Sequence, residues 1–255
     1  MIANYHTHTW RCHHAIGSER AYVEQAIAAG VQILGFADHT PYLFSNGYVS
    51  DFRMLPGDAD GYFTTLTDLK REYAGDIEIH IGLEAEYYPA YFDALLRFLA
   101  DYPCEYLLLG QHHIYNEYDG PYSGSRTWDE AVLTQYVTQT LEGLATGKFT
   151  YLAHPDLLHW RGDEQIYRRE MTRLCQGVKA LDYPLEVNLL GLYGNRWYPR
   201  NAFWEIAAET GNTAILGLDA HQPDSFTWRE AEEDGRGLVK HYGLPLLETV
   251  ELRPL

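Results

Sequence analysis

Two pairs of potential metal ligands, each pair separated by one residue, lie near opposite ends of this sequence. His6 and His8 flank Thr7, and Asp219 and His221 flank Ala220. In an extended strand, residues two apart point to the same side, so both members of a pair can bind one ion without bending the backbone. The two pairs therefore predict a metal site assembled from distant parts of the chain.

Four more residues of the same types lie at or just past the ends of predicted strands: His39, Glu84, His112 and His154. One histidine alone would be weak evidence, because the chain has 12 and most histidines lie at surfaces or satisfy core hydrogen bonds. The shared position at strand ends is the signal, since unrelated histidines would also occur in helices. His80, His159 and His241 lack that position and are interpreted as structural or surface residues.

The ligand types indicate which metals such a site would hold. Imidazole and carboxylate without a required thiolate favour Zn, Fe or Mn. Glu84 and Asp219 each carry two oxygens and could bridge neighbouring ions. The set is too large for one ion, so we expect two or three divalent ions, which together can bind the nucleophile and the leaving oxygen of a hydrolysis. Cys12, two residues before His14, is a less favoured zinc ligand.

The predicted elements explain how distant residues could meet. Strand-like apolar runs occupy residues 2–6, 32–37, 77–83, 106–109, 150–153, 185–189 and 214–218. Helix-like stretches follow at 19–29, 58–73, 91–100, 128–146, 164–181, 201–209 and 228–242. Repeated strand–helix units predict an α/β fold with a parallel sheet that closes, or nearly closes, into a barrel whose strand C-termini share one face. Residues 247–252 could add an edge strand.

Composition limits the classes of partner. The 255 residues, 46% of them hydrophobic, suit one domain over residues 1–255. A net charge of -17 without basic runs argues against nucleic acid, whereas bound divalent ions would still allow a small phosphorylated substrate. No apolar run approaches the roughly 20 residues that cross a bilayer, and the first predicted strand leaves no room for a signal peptide. Three widely spaced cysteines suit a reducing compartment, so we expect a cytoplasmic protein.

Six short motifs contain the potential ligands and follow one another along the chain. The first is YHTHTWRCHHA at residues 5–15, an HTH followed by CxHA. The others are ADHTP at 37–41, GLE at 82–84, GQH at 110–112, AHPD at 153–156 and DAH at 219–221. In this order they resemble the polymerase and histidinol phosphatase (PHP) phosphoesterases, in particular the stand-alone histidinol-phosphatase branch. The resemblance implies a distorted, TIM-like (β/α)7 barrel with a trinuclear metal site at the C-terminal ends of the strands.

Carried over position by position, the resemblance also implies a complete ligand set. Its members are His6, His8, His14, His39, Glu84, His112, His154, Asp219 and His221. His14 is named by the resemblance alone, because spacing does not choose between it and His13. The family pattern favours His112 over His113, and strand alternation lets only one of the two point inward.

Two positions depart from the family pattern. Asn4 stands where an Asp often precedes the HTH motif, and Gly110-Gln111 replaces a more usual pair that contains Ser. Neither position is expected to bind metal, so the departures concern how the ligands are held and leave the number of ions unaffected.

The resemblance implies a metal-dependent phosphomonoesterase that hydrolyses L-histidinol phosphate, a step of histidine biosynthesis, by attack of a metal-bridging hydroxide. The expected catalytic residues are Glu84, Asp219 and His221, and either of the last two could help the alkoxide leave. Arg196 lies in GLYGNRWYP (191–199), which resembles the loop with a phosphate-binding arginine. Arg161 and His113 are further candidates for substrate contacts, since guanidinium donors fit phosphate oxygens in pairs.

Three alternatives remain open at this point. A PHP-type enzyme could act on another small phosphate ester or a nucleotide. An amidohydrolase-type enzyme also has an early HxH and a late Asp, but often uses a strand-end lysine, and no lysine of this chain ends a predicted strand. A metal-binding barrel without turnover would be expected to have lost ligands, and this chain carries the full set.

Overall fold

The computed structural model describes residues 1–255 as parallel strands alternating with helices. The strands are β1 (Ala3–Asn4), β2 (Ile33–His39), β3 (Glu78–Ala85), β4 (Tyr106–Leu109), β5 (Leu185–Asn188), β6 (Ala214–Gly217) and β7 (Leu246–Leu247). They pair in the orders β1-β2-β3-β4 and β5-β6-β7, and every pairing is parallel.

Single-residue bridges join these two groups of strands into a ring. Leu152 pairs with Leu109 of β4 and with Leu185 of β5. On the other side, Thr7 pairs with Ala220, just past the ends of β1 and β6. The ring confirms the predicted distorted TIM-like barrel. It also corrects one detail, because the predicted strand at 150–153 contributes only one bridged residue, and the additional strand expected at 247–252 is the two-residue β7, paired with β6.

All seven predicted helices are present, with ends shifted by a few residues. They are α1 (Glu19–Ala28), α2 (Ala59–Glu72), α3 (Phe92–Leu99), α4 (Glu130–Ala145), α5 (Glu164–Ala180), α7 (Asn201–Thr210) and α8 (Arg229–Tyr242). The short α6 (Leu189–Tyr193) directly follows β5 and was not predicted. Ser18, Asp129 and Asp163 cap α1, α4 and α5 through side-chain oxygens that accept backbone N–H groups, which explains where these helices begin.

The core has two parts with different roles. A cluster of 56 buried residues fills the space between the ring and its helices. A cluster of eight, including Tyr5, Tyr106 and Tyr151, comes from inward-facing strand positions. The Tyr106 ring needs glycine beside it, since a Cβ at Gly82 would lie 2.4 Å from its Cε1, and its hydroxyl donates to the carbonyls of Tyr5 and Phe36. These tyrosines fill the interior of the barrel.

None of the helices combines the length and the apolar character needed to cross a membrane.

Candidate metal centre

The two ligand pairs meet at the mouth of the barrel. Because Thr7 pairs with Ala220, the HTH motif and the DAH motif lie side by side. The rings of His8 and His221 stack with centroids 4.1 Å apart, and His8 Nε2 lies 3.0 Å from Asp219 Oδ1. The spacing pattern thus identified two segments that the fold brings into contact.

Glu84 lies between histidines from four parts of the chain. Its Oε2 is 3.1 Å from His39 Nδ1 and 3.4 Å from His6 Nε2. Its Oε1 is 2.7 Å from His154 Nε2 and 3.5 Å from His112 Nε2. The parallel register of β2 and β3 places His39 beside Glu84, and the carboxylate is 1% exposed. One buried carboxylate therefore links most of the predicted ligands.

The potential ligand atoms form overlapping groups, with the atoms of each group within 4.8 Å of one another. They include His14/His39/His221, His6/Glu84/His154, His6/His8/Asp219, His8/His39/Glu84 and His8/Cys12/His221. Cys12, the less favoured candidate, is buried at the edge of this set. The His112 ring lies 4.9 Å from that of His154 and 5.0 Å from that of His39. The fold brings all nine predicted ligands to one place.

The buried polar atoms of these residues fit a bound cation. Several have no partner with hydrogen-bond geometry, even where a carboxylate or imidazole lies within 3.5 Å: His6 Nε2, His8 Nδ1 and Nε2, His39 Nδ1, Glu84 Oε2 and His221 Nε2. Burying polar atoms without partners costs free energy, and native proteins keep few of them. Imidazole nitrogens and carboxylate oxygens are ligands of Zn, Fe and Mn, so a metal would satisfy the atoms that the protein leaves unpaired.

The electrostatics favour ionised carboxylates, but they act differently on the histidines: burial alone would lower the pKa of His6, His8 and His112, and the carboxylates around them raise it instead. Burial alone would raise the pKa of Glu84 and of Asp219, but nearby histidines, above all His112 for Glu84 and His6 for Asp219, hold both pKa values well below their usual range. Burial lowers the pKa of His221 to about 3. Ionised carboxylates and neutral imidazoles are the forms that bind divalent ions.

Two of the ligand positions have an unusual backbone conformation. His154 has φ of 28° and Asp219 has φ of 50°, in the left-handed region that residues other than glycine seldom adopt. His154 follows the segment bridged at Leu152, and Asp219 lies between β6 and Ala220, which is bridged to Thr7. Local strain of this kind often marks functional sites, because the surrounding structure has to maintain it.

A second set of carboxylates, which are not among the predicted ligands, lies behind the histidines. The pairs are Glu186 with His6, Asp38 with His8 and Glu86 with His112. Their oxygens lie 2.8, 3.4 and 3.0 Å from the respective Nδ1 atoms. Such contacts fix the orientation and tautomer of a metal-binding imidazole. The available signals were a charged residue inside an apolar strand, Glu186, and Glu86, two positions after Glu84.

The two departures from the family pattern have structural explanations. The Asn4 amide donates to Thr7 Oγ1 at 2.8 Å, and its Oδ1 accepts from the Leu218 backbone N–H at 2.8 Å. Asn4 therefore ties the segment with the HTH motif to the segment with the DAH motif. Gly110 packs against the central carboxylate, because a Cβ at this position would lie 1.9 Å from Glu84 Oε1.

Replacing Gly110 with Ala is expected to displace Glu84, since that contact cannot form without movement of the carboxylate or of the backbone. Bound metal should fall, and turnover should drop at least about tenfold, as it does when residues that orient ligands are altered. The matched control is Gly237→Ala in α8, where nothing lies within 4 Å of the added Cβ. Elemental analysis and steady-state kinetics check both variants, and equal metal content in the two would contradict the role given to Gly110.

A cavity of about 630 Å³ opens above the ligands, a size suited to a small molecule. Its base includes His14, His39, His112, His154, Asp219 and His221. Its walls include Asp51, Phe52, His113, Tyr122, Arg196 and Tyr198. Six of the nine predicted ligands therefore face a space that a substrate can enter, and His6, His8 and Glu84 are not part of its lining.

The structure separates the three residues predicted to contact the substrate. Arg196 lines the cavity and donates to the Tyr198 hydroxyl at 2.9 Å. His113 also lines it, with its ring stacked on Phe52. Arg161 instead lines a neighbouring pocket, together with His159, Trp197 and Arg200. The prediction for Arg161 does not agree with this placement, because its side chain lies outside the cavity above the ligands.

Comparisons with known proteins agree with this architecture. A probable histidinol-phosphatase of Deinococcus radiodurans is 28% identical over 246 residues, which cover 91% of this chain and 90% of that protein. A probable histidinol-phosphatase of Schizosaccharomyces pombe is 26% identical, over 88% and 81% of the two chains. The histidinol phosphate phosphatase of Lactococcus lactis, solved with zinc, L-histidinol and phosphate, shares the fold with a TM-score of 0.75 at 19% identity, over 98% of this chain and 96% of that one. The model of the PHP domain matches residues 4–189, most of the sequence, and the chain belongs to the PHP domain family.

Proposed function

We propose that this protein, acting as one domain, is a metal-dependent phosphomonoesterase that hydrolyses L-histidinol phosphate to L-histidinol and phosphate. The observation that carries the proposal is the convergence of nine potential ligands beneath a cavity that also contains Arg196. The two relatives described as probable histidinol-phosphatases, which match over most of their length, support this substrate.

We infer that two or three divalent ions, Zn, Fe or Mn, bind to His6, His8, His14, His39, Glu84, His112, His154, Asp219 and His221. Such ions activate water and stabilise the charge of phosphoryl oxygens. Glu84, Asp219 and His221 are our catalytic candidates, because they lie in these clusters and the last two also face the cavity. Asn188 holds Asp219 through a 3.1 Å contact with Oδ2 and thereby orients its carboxylate.

We assign phosphate binding to Arg196. Its side chain is paired with the Tyr198 hydroxyl and with no carboxylate, so the guanidinium is free to donate to an anion in the cavity. Planar guanidinium donors match phosphate oxygens in pairs. Leu157 and Leu190 line the same cavity and would reduce the amount of water around the bound ester.

The amidohydrolase alternative receives no support from the cavity, because no lysine lines it. Lys70 pairs with Glu105, and Lys179 donates to the Gly211 carbonyl, so both are used elsewhere. A carboxylate, Glu84, occupies the central position among the histidines.

The proposal is tested with protein whose metals have been quantified. We expect kcat/KM to be highest for L-histidinol phosphate among a panel of phosphate monoesters, nucleotides, amides and lactones. Removal of metal by a chelator should abolish phosphate release, and Zn, Mn or Fe should restore it, while circular dichroism shows that the protein stays folded. Equal rates with unrelated phosphate esters would contradict the substrate assignment, and absence of phosphate release from all of them would contradict the reaction.

A further inference from the structure

The segment between β2 and α2 forms one wall of the cavity. It carries Asp51, the only carboxylate of the cavity lining that lies outside the histidine cluster. Asp51 and Phe52 line the cavity from this segment. Asp219, the other acidic residue of the lining, is buried and in contact with His6 and His8. Asp51 is exposed and forms no ion pair, so its charge is available to a ligand in the cavity.

Arg53 holds this part of the segment in a defined position. Its guanidinium lies 3.0 Å from Glu86 Oε1 and 2.5 Å from Glu117 Oε2, and it donates to the Thr40 carbonyl at 3.0 Å. The Arg53 side chain is 1% exposed, and Asp51 is only two residues away. A carboxylate on an anchored segment loses little freedom when it binds a ligand, which favours affinity.

An aromatic surface adjoins Asp51. The Phe52 ring stacks on His113 with centroids 5.6 Å apart and an interplanar angle of 28°, and His113 in turn lies 5.3 Å from Tyr122. All three rings line the cavity. A flat heteroaromatic ring can pack against such a surface, since aromatic pairs favour offset-stacked or edge-to-face contacts.

We propose that Asp51 binds the ammonium group of the substrate and that Phe52 and His113 pack against its ring, so that the cavity selects phosphate esters of amino alcohols. This inference rests on the proposed function. The substrate carries an anionic phosphate group and, on the neighbouring carbon, a cationic ammonium group, and the cavity offers Arg196 for the first and Asp51 for the second. Complementary charges of this kind determine the orientation of a ligand and reject molecules that lack one of the charges.

The experiment compares L-histidinol phosphate with 3-(imidazol-4-yl)propyl phosphate, which differs only by the missing ammonium group. We expect the metal-loaded wild type to favour the amino substrate in kcat/KM by about tenfold, the value of a charge-assisted hydrogen bond of roughly 1.4 kcal/mol. Asp51→Asn should remove this preference, mainly through a higher KM for the amino substrate. The matched control is Asp234→Asn on α8, an exposed acid with the same change of charge, and it should keep the preference. An unaltered preference in Asp51→Asn would overturn the inference.

A binding measurement separates this inference from the proposed function. Metal-loaded protein is titrated calorimetrically with L-histidinol and with 3-(imidazol-4-yl)propan-1-ol. Tighter binding of the amino alcohol by the wild type, lost in Asp51→Asn, supports the inference even if L-histidinol phosphate is not hydrolysed, and the missing turnover then counts against the proposed function alone. If the wild type binds both alcohols equally or neither, or if Asp51→Asn keeps the preference, the inference is wrong.

Discussion

Replacing Glu84 with Gln is expected to lower kcat on the order of a thousandfold and to reduce the amount of bound metal, while the barrel stays folded. Gln keeps the shape of the side chain but removes the charge and replaces one oxygen by an N–H donor. Both carboxylate oxygens face histidine nitrogens, Oε1 at 2.7 and 3.5 Å and Oε2 at 3.1, 3.4 and 3.6 Å, so the amide would meet these nitrogens with the wrong polarity on one side. Steady-state kinetics with elemental analysis of the same preparation measures both effects.

A control at the other end of the same strand isolates the effect of position. Glu78 begins β3, its side chain is 60% exposed, and it contacts His80. Glu78→Gln makes the same chemical change and should preserve metal content and turnover. If Glu84→Gln retained the activity and metal content of the wild type, the central place of Glu84 in the reaction would be contradicted.

The sequence was sufficient to predict the barrel and the residues at its mouth, because two simple regularities are visible in it. Alternating apolar runs and helical stretches imply a parallel ring, and strand ends in such a ring share one face. His39 and Glu84 show this well, since their meeting follows from the parallel register of two strands that are readily recognised as apolar runs. For His14 the family motif was needed, because that residue lies in a loop.

What the sequence could not predict depends on contacts made outside regular strands. The run at 150–153 is as apolar as a strand, yet only Leu152 is bridged, and the chain leaves the ring at His154 with a positive φ. Arg161 and Arg196 both follow apolar segments, and only the fold shows that Arg196 faces the cavity whereas Arg161 faces its neighbour. Side-chain direction in irregular segments is set by packing, which local patterns do not describe.

Arg53 is the clearest example, because a charged residue in a long loop is normally expected in solvent. Instead it pairs with Glu86 and Glu117 in the interior, and Glu86 in turn contacts His112. We expect Arg53→Met to lower the free energy of unfolding by about 3–5 kcal/mol, since it leaves two buried carboxylates without their partner. Burial would raise the pKa of Glu86, and Arg53 is the main influence that brings it down to about 2. Urea unfolding of the metal-loaded protein measures the loss.

Two comparisons show whether unpaired charge or lost packing causes this effect. Arg236 also pairs with two carboxylates, Glu232 and Glu248, but its side chain is 34% exposed, so Arg236→Met should cost no more than about 1 kcal/mol. Adding Glu86→Gln and Glu117→Gln to Arg53→Met removes the buried charges and should recover part of the stability, because the cost of an unpaired buried ion then disappears. If the triple variant is as unstable as Arg53→Met alone, the guanidinium stabilises this region by filling space, and its charge is not the reason that the segment bearing Asp51 stays in place.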